Sequence, residues 1–248
     1  MKRILNELIG YSLKAKNGEK GKVNNFLFDD RSWTIRYLEA ELGNFFIGKR
    51  VLIPRTFLGE PKWEDKHFPI ELKVENIKAS PDLDFDLPVS RKYEQRLFEH
   101  YDIHPYWMAN AAAFSGREAV FYPGISFRAP KKVIKEEDID TNLRSFKEVL
   151  GYQIEAIDET FGLIDDLIID DEDWQILHVV IDTKNLIPWS KKVMLPIDMI
   201  DEISFLDRTV KIKLPKEAIK DSPEFDESEA VNAEYEKVLY DYYGRKKE

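Results

Sequence analysis

Hydrophobic and polar positions alternate over short runs in two separated parts of the chain. "GKVNNFLFDD" at residues 21–30 and "GLIDDLIIDDEDWQILHVVID" at residues 162–182 carry the two-residue period of strands with one buried face. "KRVLIP" (49–54) and "KKVMLP" (191–196) read as strands closed by proline, which has no N–H to give to a ladder. "NGEKG" (17–21) predicts a hairpin turn, and its counterpart "DETFG" (158–162) keeps only the last glycine. "DDRSW" (29–33) and "DDEDW" (170–174) predict a second tight turn, held by an aspartate bonded to the backbone that follows it. The period then changes: "YEQRLFEHY" (93–101) and "AEYEKVLYDYY" (233–243) space aromatics and leucines three to four apart, the stripe of a helix. "SP" upstream of each is a plausible run-up to it.

Every element named so far occurs twice. An offset of 141 superposes Gly10 on Gly151, Tyr11 on Tyr152, Gly21 on Gly162, Asp29 on Asp170 and Trp33 on Trp174. One inserted residue changes the offset to 142, and "KRVLIP" then meets "KKVMLP", "KASP" (78–81) meets "KDSP" (220–223), and "YEQRLFEHYD" meets "YEKVLYDYYG". The chain is an internal duplication: repeat 1 over residues 1–104, an aromatic-rich connector over 105–141, and repeat 2 over 142–248. Two long units do not make a solenoid, which stacks more and shorter ones. The expected fold is mainly β with some α: two similar small antiparallel β-barrels, each followed by a C-terminal helix. Closing the barrels removes sheet edges open to aggregation.

The openings "LIGYSLKAKNGEKGKVNNFLFDD" (8–30) and "VLGYQIEAIDETFGLIDDLIIDD" (149–171) resemble the PRC-barrel family, named for the cytoplasmic domain of the photosynthetic reaction-centre H subunit. The same barrel ends a ribosome-maturation factor. The resemblance spans roughly residues 5–75 and 146–216. It implies the barrel fold and a tendency to bind proteins, with no shared catalytic chemistry. Asn24-Asn25 in repeat 1 faces Asp165-Asp166 in repeat 2, so no role of that acidic pair is common to both copies. Neither the membrane helix of the one setting nor the N-terminal domain of the other is expected in this sequence.

Composition narrows the chemistry. There is no cysteine, which removes disulfides, thiolate metal sites and cysteine nucleophiles and fits a cytoplasmic location. Net charge is −10, and repeat 2 carries the excess: residues 142–248 hold 14 Lys+Arg against 25 Asp+Glu, while residues 1–104 hold 18 against 17. Direct nucleic-acid binding is therefore not expected, because it rests on neutralising phosphates with Lys and Arg. No transmembrane segment is expected either; in "PYWMANAAAFSGREAVFYPGISF" (105–127) Arg117 and Glu118 interrupt the apolar run, at a cost of roughly 2.5–3.5 kcal/mol for a charge at a bilayer centre.

Candidate sites are few. Gly10, Gly21, Gly151 and Gly162 read as structural turn glycines. His100 and His104 have the spacing of a helical metal pair, but Pro105 disfavours helix at His104 and Tyr242 replaces His100 in repeat 2. His67 and His178 have no partner at a ligand's spacing. "DDLIIDDEDW" lacks the ligand order of a calcium loop. No nucleophile elbow and no phosphate loop is present, so no catalytic residue, metal ligand or cofactor is assigned. Tyr106, Trp107, Phe114, Phe121, Tyr122 and Phe127 crowd the connector; the first five are the candidate protein-interaction residues, since aromatics dominate binding hot spots. Packing of the connector against the two barrels, fixing their relative angle, is the first reading of this crowding; an exposed surface for a partner or a second copy is the second, and membrane-surface or ligand contact the third. The expected function is a non-enzymatic interaction or scaffold protein, stress-related or associated with a membrane complex, with protein partners or a second copy of the chain. The alternatives are a ribosome-associated factor acting through a ribosomal protein, and an enzyme or small-molecule binder with its site between the barrels.

Overall fold

The computed structural model describes residues 1–43, 48–83, 89–107, 142–183, 191–227, 231 and 233–244. Its architecture is mainly β. In repeat 1, β1 (Lys2–Ile4), β2 (Ser12–Ala15), β3 (Gly18–Asp29), β4 (Thr34–Glu41), β5 (Arg50–Pro54) and β6 (His67–Ile70) precede two helices, α1 (Val74–Lys78) and α2 (Arg91–Tyr101). Repeat 2 runs β7 (Leu143–Ser145), α3 (Phe146–Val149), β8 (Gln153–Glu155), β9 (Thr160–Asp170), β10 (Ile176–Asp182), β11 (Lys192–Pro196), β12 (Ile200–Ser204) and β13 (Thr209–Ile212). It closes with α4 (Lys216–Lys220) and α5 (Ala233–Gly244).

The strands form two sheets, β5-β4-β3-β2-β6 and β11-β10-β9-β8-β13-β12. Pairing is antiparallel except that β2 runs parallel to β6 and β8 parallel to β13. Each long strand bends inward at a glycine. Gly21 (φ +82°) lies so close to β4 that a Cβ there would stand 2.4 Å from the Glu41 carbonyl oxygen; at Gly162 (φ +58°) a Cβ would stand 2.9 Å from that of Asp182. A side chain is excluded at both by backbone contact as well as by the left-handed conformation.

Each sheet takes an added strand from the other copy. β1 pairs with β9, Lys2 opposite Asp170 and Ile4 opposite Ile168. β7 pairs with β3, Leu143 opposite Asp29 and Ser145 opposite Leu27. The two registers are related by the offset of 141, so the exchange is reciprocal. The "DDxxW" turns meet at the centre of this arrangement. Asp29 Oδ1 accepts from the N–H groups of Arg31 and Ser32, and Asp170 Oδ1 from that of Glu172, fixing both bends. Trp33 and Trp174 then adopt left-handed backbone, φ 51° and 61°. This turns each carbonyl across the pseudo-two-fold axis: the Ile176 N–H donates to Trp33 O at 2.7 Å and the Ile35 N–H to Trp174 O at 2.9 Å.

Because these bonds bypass the connector, it is not needed to hold the halves together. A protease site placed between residues 108 and 141 and then cut is expected to leave both fragments eluting as one species. Separation of the fragments under native conditions is the contrary result.

The helices dock identically on their sheets. Tyr93 Oη donates to Pro81 O at 2.9 Å and Tyr235 Oη to Pro223 O at 3.3 Å. Tyr101 Oη donates to Leu52 O at 3.3 Å and Tyr243 Oη to Met194 O at 3.2 Å. His100 Nε2 donates to Asn76 O at 2.9 Å, where repeat 2 uses Tyr242 Oη on Ala218 O at 2.8 Å. His100 thus serves helix docking, and α2 ends at Tyr101, before His104, on a left-handed Asp102. Among the described residues no group of three or more potential metal ligands gathers, and no helix is long and apolar enough to cross a membrane.

Candidate protein-interaction site

Duplication separates architecture from specialisation, since features shared by both copies belong to the fold. A cleft of about 560 Å³ opens between the copies, lined by Arg3, Trp63, Trp174, Glu60, Asp171 and Glu172 among others. The Arg3 guanidinium lies 4.5 Å over the Trp63 ring, with Nε 3.6 Å from Asp171 Oδ2. The same assembly recurs on the other side of the axis: Arg144 lies 3.9 Å over the Phe205 ring and its Nε donates to Asp30 Oδ2 at 2.5 Å. Its recurrence marks it as a clamp for the exchanged strands. The ionisable groups of the cleft's described lining are Arg3, the Met1 amine and the carboxylates of Glu60, Asp171 and Glu172.

A polar cluster at each exchanged strand is built from permuted residues. In repeat 1, Asn25 Oδ1 accepts from the N–H groups of Phe26 (2.9 Å) and Lys147 (3.1 Å), the latter from the exchanged segment. The Asn25 amide donates to Ser145 Oγ at 2.8 Å and Glu39 Oε2 at 3.3 Å, and Arg50 pairs with Glu39 at 3.3 Å. In repeat 2, Asp166 Oδ1 accepts from the N–H groups of Leu167 (2.8 Å) and Asn6 (3.2 Å). Val180 stands where Glu39 does, Ile4 where Ser145 does, and Lys192 pairs instead with Asp165 and Glu227, each at 2.7 Å. Asp166 is left buried with backbone donors only. Burial pushes its carboxyl up to about 7, helped by the charges of Asp165 and Glu227 and opposed by the two N–H bonds.

The clearest difference between the copies lies on the outer face of the C-terminal helices. The chain after α2 folds back so that Tyr106 and Trp107 cover Phe98, with ring centroids at 6.2 Å and 5.1 Å. Beneath them Glu94 is fully buried. Its Oε1 accepts from Tyr37 Oη (2.7 Å) and Tyr106 Oη (3.1 Å), and its Oε2 from Arg91 (2.9 Å). Burial raises the Glu94 carboxyl while these donors pull it down. Arg36 lies 4.1 Å over the Tyr106 ring and Arg91 4.0 Å over that of Trp107. Both aromatics are half-buried. Of the other candidate interaction residues, Phe114, Phe121 and Tyr122 lie outside the described residues.

Sequence reading placed aromatics at 106 and 107 but gave no sign that Glu94 receives them. The available signal was an acid at the fourth residue of the helix, Glu94 in α2, repeated as Glu236 in α5. His178, which spacing left without a partner, is fully buried in β10 below α5, its ring centroid 6.1 Å from that of Tyr240. Neither ring nitrogen has a partner, and burial lowers it to about 4.

No match was found among curated proteins. The family described as PRC-barrel domain matches twice, over residues 3–80 and 142–219, one match in each copy of the duplication. With both copies matched over most of the folded core, the chain belongs to the PRC-barrel family.

Proposed function

We propose that the chain is a non-catalytic scaffold that binds other proteins through the specialised surfaces of two fused PRC-barrels. PRC-barrel domains are general protein-interaction modules and generally non-catalytic. The observation that carries the reading is the seating of Tyr106 and Trp107 on α2, over the buried Glu94. This anchors the start of the aromatic connector, while the reciprocal strand exchange sets the two copies in one orientation. Asn25, Glu94 and the helix tyrosines use their polar groups to hold strands and helices together. The charge asymmetry between near-neutral repeat 1 and acidic repeat 2 gives the two surfaces different partners. The reading includes a cytoplasmic setting, in a stress response or on a membrane complex.

Affinity capture of the tagged chain from its native lysate, with and without nuclease, tests this. The expected result is a defined set of proteins that survives nuclease and shrinks when residues 108–141 are replaced by a Gly/Ser segment of equal length. Recovery of ribosomal proteins alone, released by nuclease, would move the assignment to a ribosome-associated factor. No captured protein in either condition would overturn the scaffold reading.

A further inference from the structure

We propose that the outer face of α5 is a docking site for a partner segment presenting a tyrosine or tryptophan, as the chain's own Tyr106-Trp107 does on α2. The inference deepens the scaffold reading and rests on it. Repeat 1 supplies the template. The offset of 142 places Tyr240 on Phe98 and Glu236 on Glu94, and the offset of 141 places His178 on Tyr37. The ring geometry agrees: Tyr37 lies 6.5 Å from Phe98, and His178 lies 6.1 Å from Tyr240.

Among the described residues, none in repeat 2 covers this face as Tyr106 and Trp107 do in repeat 1. Phe98 is 5% exposed beneath its two aromatics, whereas Tyr240 is 52% exposed. The deeper polar groups tell the same story. Glu94 Oε1 receives two hydroxyls, but Glu236 Oε1 is buried without a partner, its other oxygen being paired with Lys2 from the exchanged strand β1. Replacing the Tyr37 phenol by the shorter imidazole of His178 removes one hydroxyl, and among the described residues no second hydroxyl reaches Glu236 Oε1. Both ring nitrogens of His178 are left unpartnered as well. Buried acceptors without donors cost stability, so an incoming hydroxyl or indole N–H gains on docking.

One cation of the repeat 1 arrangement has also gone from repeat 2. Arg36, which stacks on Tyr106, is replaced by half-buried Leu177. Lys2 and Asp198 are the charged groups that act on His178 from the neighbouring elements. An aromatic ring with a hydrogen-bond donor, carried on an extended segment, fits this combination better than an anion or a charged side chain.

The test is an amide chemical-shift titration of the full chain with the synthetic peptide Asp-Ile-His-Pro-Tyr-Trp-Met-Ala, the sequence of residues 102–109. A control peptide has Tyr and Trp both changed to Ala. The expected result is saturable shifts at residues 176–179 and 236–241. Apparent affinity should fall at least about tenfold for the control peptide, as for loss of a binding hot spot. It should fall similarly in Tyr240→Asp, at an exposed position that the fold tolerates, and in Leu177→Glu. Shifts that are absent, confined to α2, or unchanged in both variants would overturn the proposal. So would self-association of the free chain that Tyr240→Asp abolishes, because the occupant would then be a second copy. A failed titration with an intact set of captured partners sinks this face alone. Absence of captured partners sinks the scaffold reading itself.

Discussion

Replacing Trp174 with alanine is expected to destabilise the whole chain by about 3–5 kcal/mol, the usual cost of truncating a large buried aromatic. Although Trp174 belongs to repeat 2, its indole stacks on Phe26 (6.0 Å) and Phe68 (5.4 Å) of repeat 1 and is 5% exposed. Removing it opens a cavity in a core whose sheet is not its own. The alanine inherits the left-handed φ of 61°, so no strain is relieved. Trp33, its counterpart, is half-buried and stacks on Phe28 of its own repeat at 5.7 Å; Trp33→Ala is expected to lose about 1–2 kcal/mol. Urea denaturation followed by circular dichroism reads both. The wild type is expected to unfold in one transition, because each copy carries a strand and a turn contact of the other. Equal losses for the two tryptophans, or two separate transitions in the wild type, would contradict a shared core.

Much of this fold was legible in the chain. The two-residue period located β3, β9 and β10, the proline-ended runs located β5 and β11, the change to a helical period located α2 and α5, and the aspartates of "DDRSW" and "DDEDW" announced their turns. The duplication fixed the count of two. The reciprocal exchange was not legible. "KRI" and "LRS" are three-residue strands, too short for any period. A pair of identical units also gives the same internal alignment whether each strand joins its own sheet or its neighbour's. The parallel pairs β2·β6 and β8·β13 were hidden for a related reason: alternation reports which face is buried, not which direction the neighbour runs. The candidate interaction site was half legible. Aromatic crowding at 106–107 was plain, but the acceptor beneath it is a glutamate indistinguishable by sequence from the solvated acids around it. Only comparing the two copies residue by residue, Tyr37 against His178 and Arg36 against Leu177, isolates the positions where they have diverged.

The same comparison gives a second large effect, this one dependent on pH. Asp166 has a folded-state value of about 7 against 3.8 for the free side chain, so the folded chain holds this proton more tightly than the unfolded one. Its contribution therefore falls as pH rises from about 4 to about 7 and is level above, a total of up to about 4 kcal/mol at about 1.4 kcal/mol per unit. Asp166→Asn keeps the acceptor for the N–H groups of Leu167 and Asn6 and removes the charge, reproducing what Asn25 does in repeat 1. Its stability relative to wild type is expected to be lowest near pH 4, where the carboxyl is already neutral and the new amide finds Val180 and Ile4 instead of Glu39 and Ser145. It should then rise steadily to a plateau above pH 7. The reciprocal Asn25→Asp adds a carboxylate beside Glu39, whose two oxygens are served by the amides of Asn24 and Asn25. It is expected to show the opposite trend, losing stability over the same range, because a second buried acid is then set beside Glu39, which Arg50 already pairs. Urea midpoints of the three proteins at half-unit intervals from pH 4 to 8 decide the matter. Parallel curves for wild type and Asp166→Asn would mean that Asp166 stays ionised in the fold and that the permuted cluster carries no proton.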